Sequence, residues 1–138
     1  INAHNNVWGK AGINEGETVQ DFLNNNRGGD RWYFSTEAAG SYELYLQADT
    51  FDGLNRKDFD PVIELYDLDD NPIDISSSLS CVTNDHCSFT FTPGTDSDFY
   101  VIVRSANSDG FYRLSLNDGI VSDDPEQKFW YHSVQESR

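Results

Sequence analysis

The residues in this chain best suited to chemistry are its acids. The segment Asp49-Thr50-Phe51-Asp52-Gly53-Leu54-Asn55-Arg56-Lys57-Asp58-Phe59-Asp60 puts four carboxylates between two strand-like stretches. Carboxylates that close repel one another unless a cation offsets them. Calcium is one candidate, because it takes roughly six to eight oxygens from carboxylates, amides, carbonyls and water. The loop's own Arg56 and Lys57 are the alternative. A second cluster, Asp67, Asp69, Asp70 and Asn71, spaces acids around a turn; an ordinary Asp-Asn turn would use the same residues. A third joins Asn24 to Asn26 with Asp30 and with Glu15 or Glu17, although Asn runs also favour left-handed turns. The candidate calcium ligands are therefore Asp49, Asp52, Asp58, Asp60, Asp67, Asp69, Asp30 and Glu15.

Cys81 and Cys87 stand in Ser-Cys-Val-Thr-Asn-Asp-His-Cys-Ser. Their spacing suits a small closed loop, and we expect a disulfide, with two reduced thiols as the alternative. A bridge would point to an oxidising, extracellular setting. Catalytic signatures are absent: no Gly-x-Ser-x-Gly, no phosphate-binding loop and no His-Glu-x-x-His occur. Cys87 and His86 are neighbours, and neighbours in a strand point to opposite faces. His4, His86 and His132 share no short spacing of the kind zinc uses. The chain is expected not to be an enzyme.

The 138 residues carry 9 Lys+Arg against 24 Asp+Glu, a net charge of −15. That excludes sequence-independent binding to nucleic acid and electrostatic docking on anionic lipid. Aromatic residues make up 14% and hydrophobic residues 37%, too many for a solvated tail. No run is long enough for a helical membrane span. The length suits one domain, with a core from about 15 to 120. Residues 121–138 are either a last strand or a linker to a neighbour. The absence of a leading Met or signal stretch suggests a piece of a larger multidomain chain.

Period-2 alternation must position these groups. Thr18–Leu23, Asp30–Ser35, Ser41–Gln47, Val62–Leu68, Ser88–Thr92 and Phe111–Leu116 read as strands. Phe99–Val103 is apolar throughout, as in a central strand covered on both sides. Turn signals separate them at Asn24–Gly29, Ala39-Gly40, Asp69–Pro72, Pro93-Gly94 and Ser108–Gly110. The expected fold is all-β: an antiparallel, jelly-roll-like β-sandwich of about seven to nine strands. Trp32, Phe34, Tyr42, Phe89, Phe91, Tyr100 and Tyr112 are expected in the core. Tyr33, Tyr45 and Tyr66 alternate with core positions, and are candidates for an outer, ligand-binding face.

The order of motifs resembles the bacterial pre-peptidase C-terminal (PPC) domains. Gly29-Asp30-Arg31-Trp32-Tyr33-Phe34 is similar to their opening strand. Phe59-Asp60-Pro61-Val62-Ile63-Glu64-Leu65-Tyr66-Asp67 is similar to their Asp-Pro strand, and Leu68-Asp69-Asp70-Asn71 to the acidic turn after it. Asp98–Val103 and Gly110–Leu116 resemble the closing pair. The resemblance implies a β-sandwich of secreted or cell-surface bacterial proteins, appended to proteases, collagenases or adhesins. It implies a noncatalytic accessory domain that calcium stabilises and that binds an extracellular protein or peptide such as collagen. Other readings are a carbohydrate-binding module of a polysaccharide-degrading enzyme, with a glycan ligand, or a structural spacer with none. The family's acidic N-terminal calcium stretch has no counterpart before Glu15.

Overall fold

The computed structural model describes residues 11–24, 28–49, 59–107 and 109–117. Within them the chain forms nine strands and no helix. In chain order these are β1 (Glu17–Leu23), β2 (Asp30–Ser35), β3 (Tyr42–Ala48), β4 (Pro61–Asp67) and β5 (Pro72–Ile73). β6 (Ser80–Val82), β7 (His86–Phe91), β8 (Asp98–Ser105) and β9 (Gly110–Leu116) follow. One sheet has the order β1-β9-β3-β7-β6 and the other β2-β8-β4-β5. Every strand pair is antiparallel, so the expected all-β sandwich is the fold.

The alternation seen in the sequence becomes the inner faces of these two sheets. Tyr42, Leu44, Leu46 and Ala48 of β3 face Trp32 and Phe34 of β2, Ile63 and Leu65 of β4, and Val101 and Val103 of β8 across one buried cluster. Removing such side chains from water is what offsets the entropy of ordering the strands. Two polar tips within the sandwich join the sheets. Trp32 Nε1 donates to the Tyr112 hydroxyl at 3.0 Å, and that hydroxyl donates to Asp30 Oδ2 at 2.6 Å. Burial, then the Asp30 charge, holds the Tyr112 hydroxyl well above its ordinary pKa.

The consecutive strands that pair are β4 with β5 and β6 with β7. Elsewhere the chain changes sheet between strands, and β1 pairs with β9, Glu17 opposite Leu116. The disulfide Cys81–Cys87 is formed, with Cα atoms 4.1 Å apart. It ties β6 to β7 at directly paired positions. The expectation for residues 121–138 lies outside the described residues.

Candidate functional site

β8 is the central strand of the four-stranded sheet, paired with β2 on one side and β4 on the other. The registers put Tyr33 opposite Tyr100 and Tyr100 opposite Tyr66. Side chains at directly opposed positions share a face, so the three rings form a row across the outside of the sheet. Tyr66 stacks on Tyr100 with centroids 5.2 Å apart and planes 11° apart. Tyr33 lies 5.1 Å from Tyr100 on the other side, tilted by 38°. The middle ring is 3% exposed, while the outer two are half-buried.

Charged groups brace the row. The Arg31 guanidinium sits 4.9 Å from the Tyr100 ring centroid, within cation–π range. The Tyr33 hydroxyl is the main cause of Arg31's raised pKa. The Tyr100 hydroxyl donates to Asp70 Oδ1 at 2.6 Å. Desolvation, then this bond, raises the Tyr100 pKa to about 12. Tyr66 donates to Glu64 Oε1 at 3.0 Å, which raises its own pKa. Glu64 also meets Arg104 at 3.4 Å, and Arg104 Nη1 donates to the Gly28 carbonyl at 2.8 Å.

Local sequence sets these partners. Asp67 folds the β4–β5 turn by accepting from the backbone N–H groups of Asp69 and Asn71, both at 2.9 Å. The turn leaves Asp70 at φ 66°, a left-handed conformation that Asp tolerates better than most residues. That places its carboxylate at Tyr100. At the other end, Gly29 has φ 109°, and a Cβ there would come within 2.7 Å of Ile102 and 2.8 Å of the Val103 carbonyl. Only glycine lets the chain pass this close to β8.

The structure separates the three expected tyrosines. Tyr33 and Tyr66 lie in the row. Tyr45 lies on the outer face of the other sheet, 6% exposed, stacked on His86 at 5.1 Å and 10°. Tyr100, expected in the core, is the centre of the row. Its strand is apolar on both faces, so the sequence offered no alternation from which to assign a side. The paired positions of its neighbours, Tyr33 and Tyr66, were the available signal.

The described calcium candidates do not converge: no three His, Cys, Asp or Glu side chains form a metal cluster among the described residues. Asp49 is paired with Arg113 at 3.3 Å and also accepts from Gln20. Asp30 accepts from Tyr112, and Asp67 is spent on its own turn. Asp60 Oδ1 accepts from the Asn84 N–H at 2.8 Å, and Glu15 Oε2 from Asn117 at 3.0 Å. Asp69 sits exposed in the β4–β5 turn. Asp52 and Asp58 lie outside the described residues, as do Asn25 and Asn26 of the third cluster.

No family model matches the sequence, and no curated protein sequence matches it. Solved structures do. The chain is similar to the pre-peptidase C-terminal domain of a collagenase from Bacillus anthracis, with TM-score 0.59 and 19% identity over 78% of this chain and 93% of that one. It is also similar to a surface-associated copper-binding protein of Methylomicrobium album BG8, with TM-score 0.50 and 7% identity over 76% and 96%. At such identities the likeness establishes the fold.

Proposed function

We propose that this chain is a noncatalytic accessory domain of a secreted or cell-surface protein, and that it binds an extracellular protein or peptide over the Tyr33–Tyr100–Tyr66 row. The observation that carries this reading is the row itself. Two half-exposed tyrosines flank a buried one on a rigid sheet, with Arg31 and Glu64 beside them. Tyrosine and arginine, with tryptophan, are enriched among the residues that dominate binding at protein interfaces. The solved relatives and the disulfide support the setting: one relative is a domain of a collagenase, another is surface-associated, and disulfides persist in oxidising compartments.

A glycan is the alternative ligand. Sugars stack on open ring faces, but here Tyr66 and Tyr100 cover each other's faces. Ring edges and hydroxyls are then what the row offers outward, which suits a peptide better. The test is retention on immobilised triple-helical collagen peptide or gelatin, run beside a glycan array. Retention on the protein matrices that Tyr33→Ala and Tyr66→Ala abolish supports the reading. Binding to glycans alone would transfer the row to carbohydrate. Silence in both would leave a spacer.

Calcium is a separate proposal, assigned to the loop from Asp49 to Asp60, with Asp52 and Asp58 as its central ligands. Asp49 would then have to share its carboxylate with Arg113. Thermal melts with calcium and with chelator decide it: a higher Tm with calcium supports the site, and equal values overturn it.

A further inference from the structure

β2 is an edge strand whose edge is only half covered. Ala11 to Ile13 runs beside it in parallel: the Tyr33 N–H donates to the Ala11 carbonyl at 2.6 Å, and the Ile13 N–H to the Tyr33 carbonyl at 2.9 Å. The cover then stops. The Asn14 N–H is taken by Glu17 Oε1 and its carbonyl by the Glu17 N–H, which turns the chain away into β1. Ser35 has the same outward parity as Tyr33, so its backbone faces open space where a covering strand would continue. A cleft of about 350 Å³ occupies that place, within the range of small-ligand sites.

The lining of this cleft has one sign of charge. Among the described residues that line it, Glu15 and Asp98 contribute carboxylates and there is no Lys or Arg. Glu15 uses Oε2 on Asn117 and Asp98 uses Oδ1 on the Ser35 hydroxyl, so each keeps a second oxygen for a ligand. Leu68, 52% exposed, supplies an apolar rim, and the buried Ile13 and Phe34 lie at the floor. Tyr33 belongs to both the cleft and the tyrosine row. Calcium would want oxygen on most sides. A long cationic side chain instead wants an apolar path for its stem and carboxylates for its head.

We infer that this cleft holds an arginine side chain of the peptide that lies over the tyrosine row. The inference rests on the peptide reading above and adds the ligand's chemistry to it. The guanidinium is planar, carries several N–H donors that can go to separate carboxylate oxygens and lies flat on an aromatic ring. The lining offers one open oxygen on each of Glu15 and Asp98, and the Tyr33 ring. The charge of −15 would also draw a basic segment toward the surface before contact.

The test uses the full chain labelled with ¹⁵N and two probes of equal shape, N-acetyl-arginine amide and N-acetyl-citrulline amide. The cation should shift the amide signals of Ile13, Asn14, Ser35 and Asp98, with an affinity at least fivefold above that of the neutral probe. Glu15→Gln and Asp98→Asn should each weaken it severalfold, with signal dispersion confirming that both variants fold. Leu68→Ser, which touches neither carboxylate, should weaken both probes alike. Equal response to the two probes, or shifts elsewhere on the surface, would overturn the inference. So would calcium chloride shifting the same amides more strongly than arginine does. A chain that binds the arginine probe here but retains no collagen peptide or gelatin would sink the peptide reading and leave the cation site standing.

Discussion

Tyr66 and Tyr45 each point outward from a strand, one on each sheet. Tyr66 joins a stack whose ends meet solvent, beside ion pairs that are themselves half-exposed. Tyr45 is shut in with His86, beside a layer of polar groups that water does not reach. In that layer Arg113 and Asp49 pair with side chains 3% and 1% exposed, and Gln47 is 1% exposed. Burial lowers the Arg113 pKa, and the Asp49 charge works against that. Each sheet thus presents polar and aromatic residues on its outer face, but one face is open for contact and the other is committed to structure.

The sharpest way to break that contrast is to open the committed face. Arg113→Ala takes the guanidinium away from a buried carboxylate, Asp49. It should cost about 3–5 kcal/mol in urea unfolding, far more than Arg104→Ala on the exposed Arg104–Glu64 pair. Equal losses would mean the two faces do not differ in kind. Next, Tyr45→Ala should cost about 3 kcal/mol as a large-to-small change at a buried site. Tyr66→Ala should cost about 1 kcal/mol, in proportion to the smaller area it hides. Retention on collagen peptide should reverse that order, with Tyr66→Ala losing it and Tyr45→Ala keeping it wherever it folds.

Reducing Cys81–Cys87 should remove about 2 kcal/mol, the entropy of a short closed loop. The loss falls on β6 and β7 of the five-stranded sheet, so amide exchange should quicken there first and leave the tyrosine row unchanged. The smallest effect is alkaline. The Tyr100 pKa is raised to about 12 from 10.0, so its neutral form is favoured in the folded state. Its contribution is complete below pH 10 and is lost as pH climbs toward 12. Absorbance at 295 nm should show Tyr100 ionising late, together with the deeply buried Tyr112, and Asp70→Asn should bring the Tyr100 part of that phase earlier.

Six strands were legible because their side chains alternate over five residues or more, and β8 because it is apolar throughout. β5 and β6 were not. Pro72-Ile73 is too short to show a period, and Ser80–Val82 is exposed throughout, held by pairing to β7 and by the disulfide. The disulfide itself was readable from spacing. Two of the row's three rings were readable too, since Tyr33 and Tyr66 sit out of phase with apolar neighbours. The fate of the acids was not. Asp49 and Arg113 meet because β1, β3 and β9 lie side by side, a relation that no local pattern encodes. A count of charges reads Asp49 as one more repelling carboxylate, whereas the fold supplies its cation from a distant strand.

The pairing of β1 with β9 has a mechanical consequence. Glu17 stands opposite Leu116, so the first and last of the nine strands begin and finish at the same end of their sheet. A pull that separates Glu17 from Leu116 loads the ladder one bond at a time, like a zipper. Strands drawn past each other would instead share the load across every bond at once. Tension should therefore peel β1 from β9 at modest force, reaching the Asp21–Tyr112 pair only after the four pairs before it have opened.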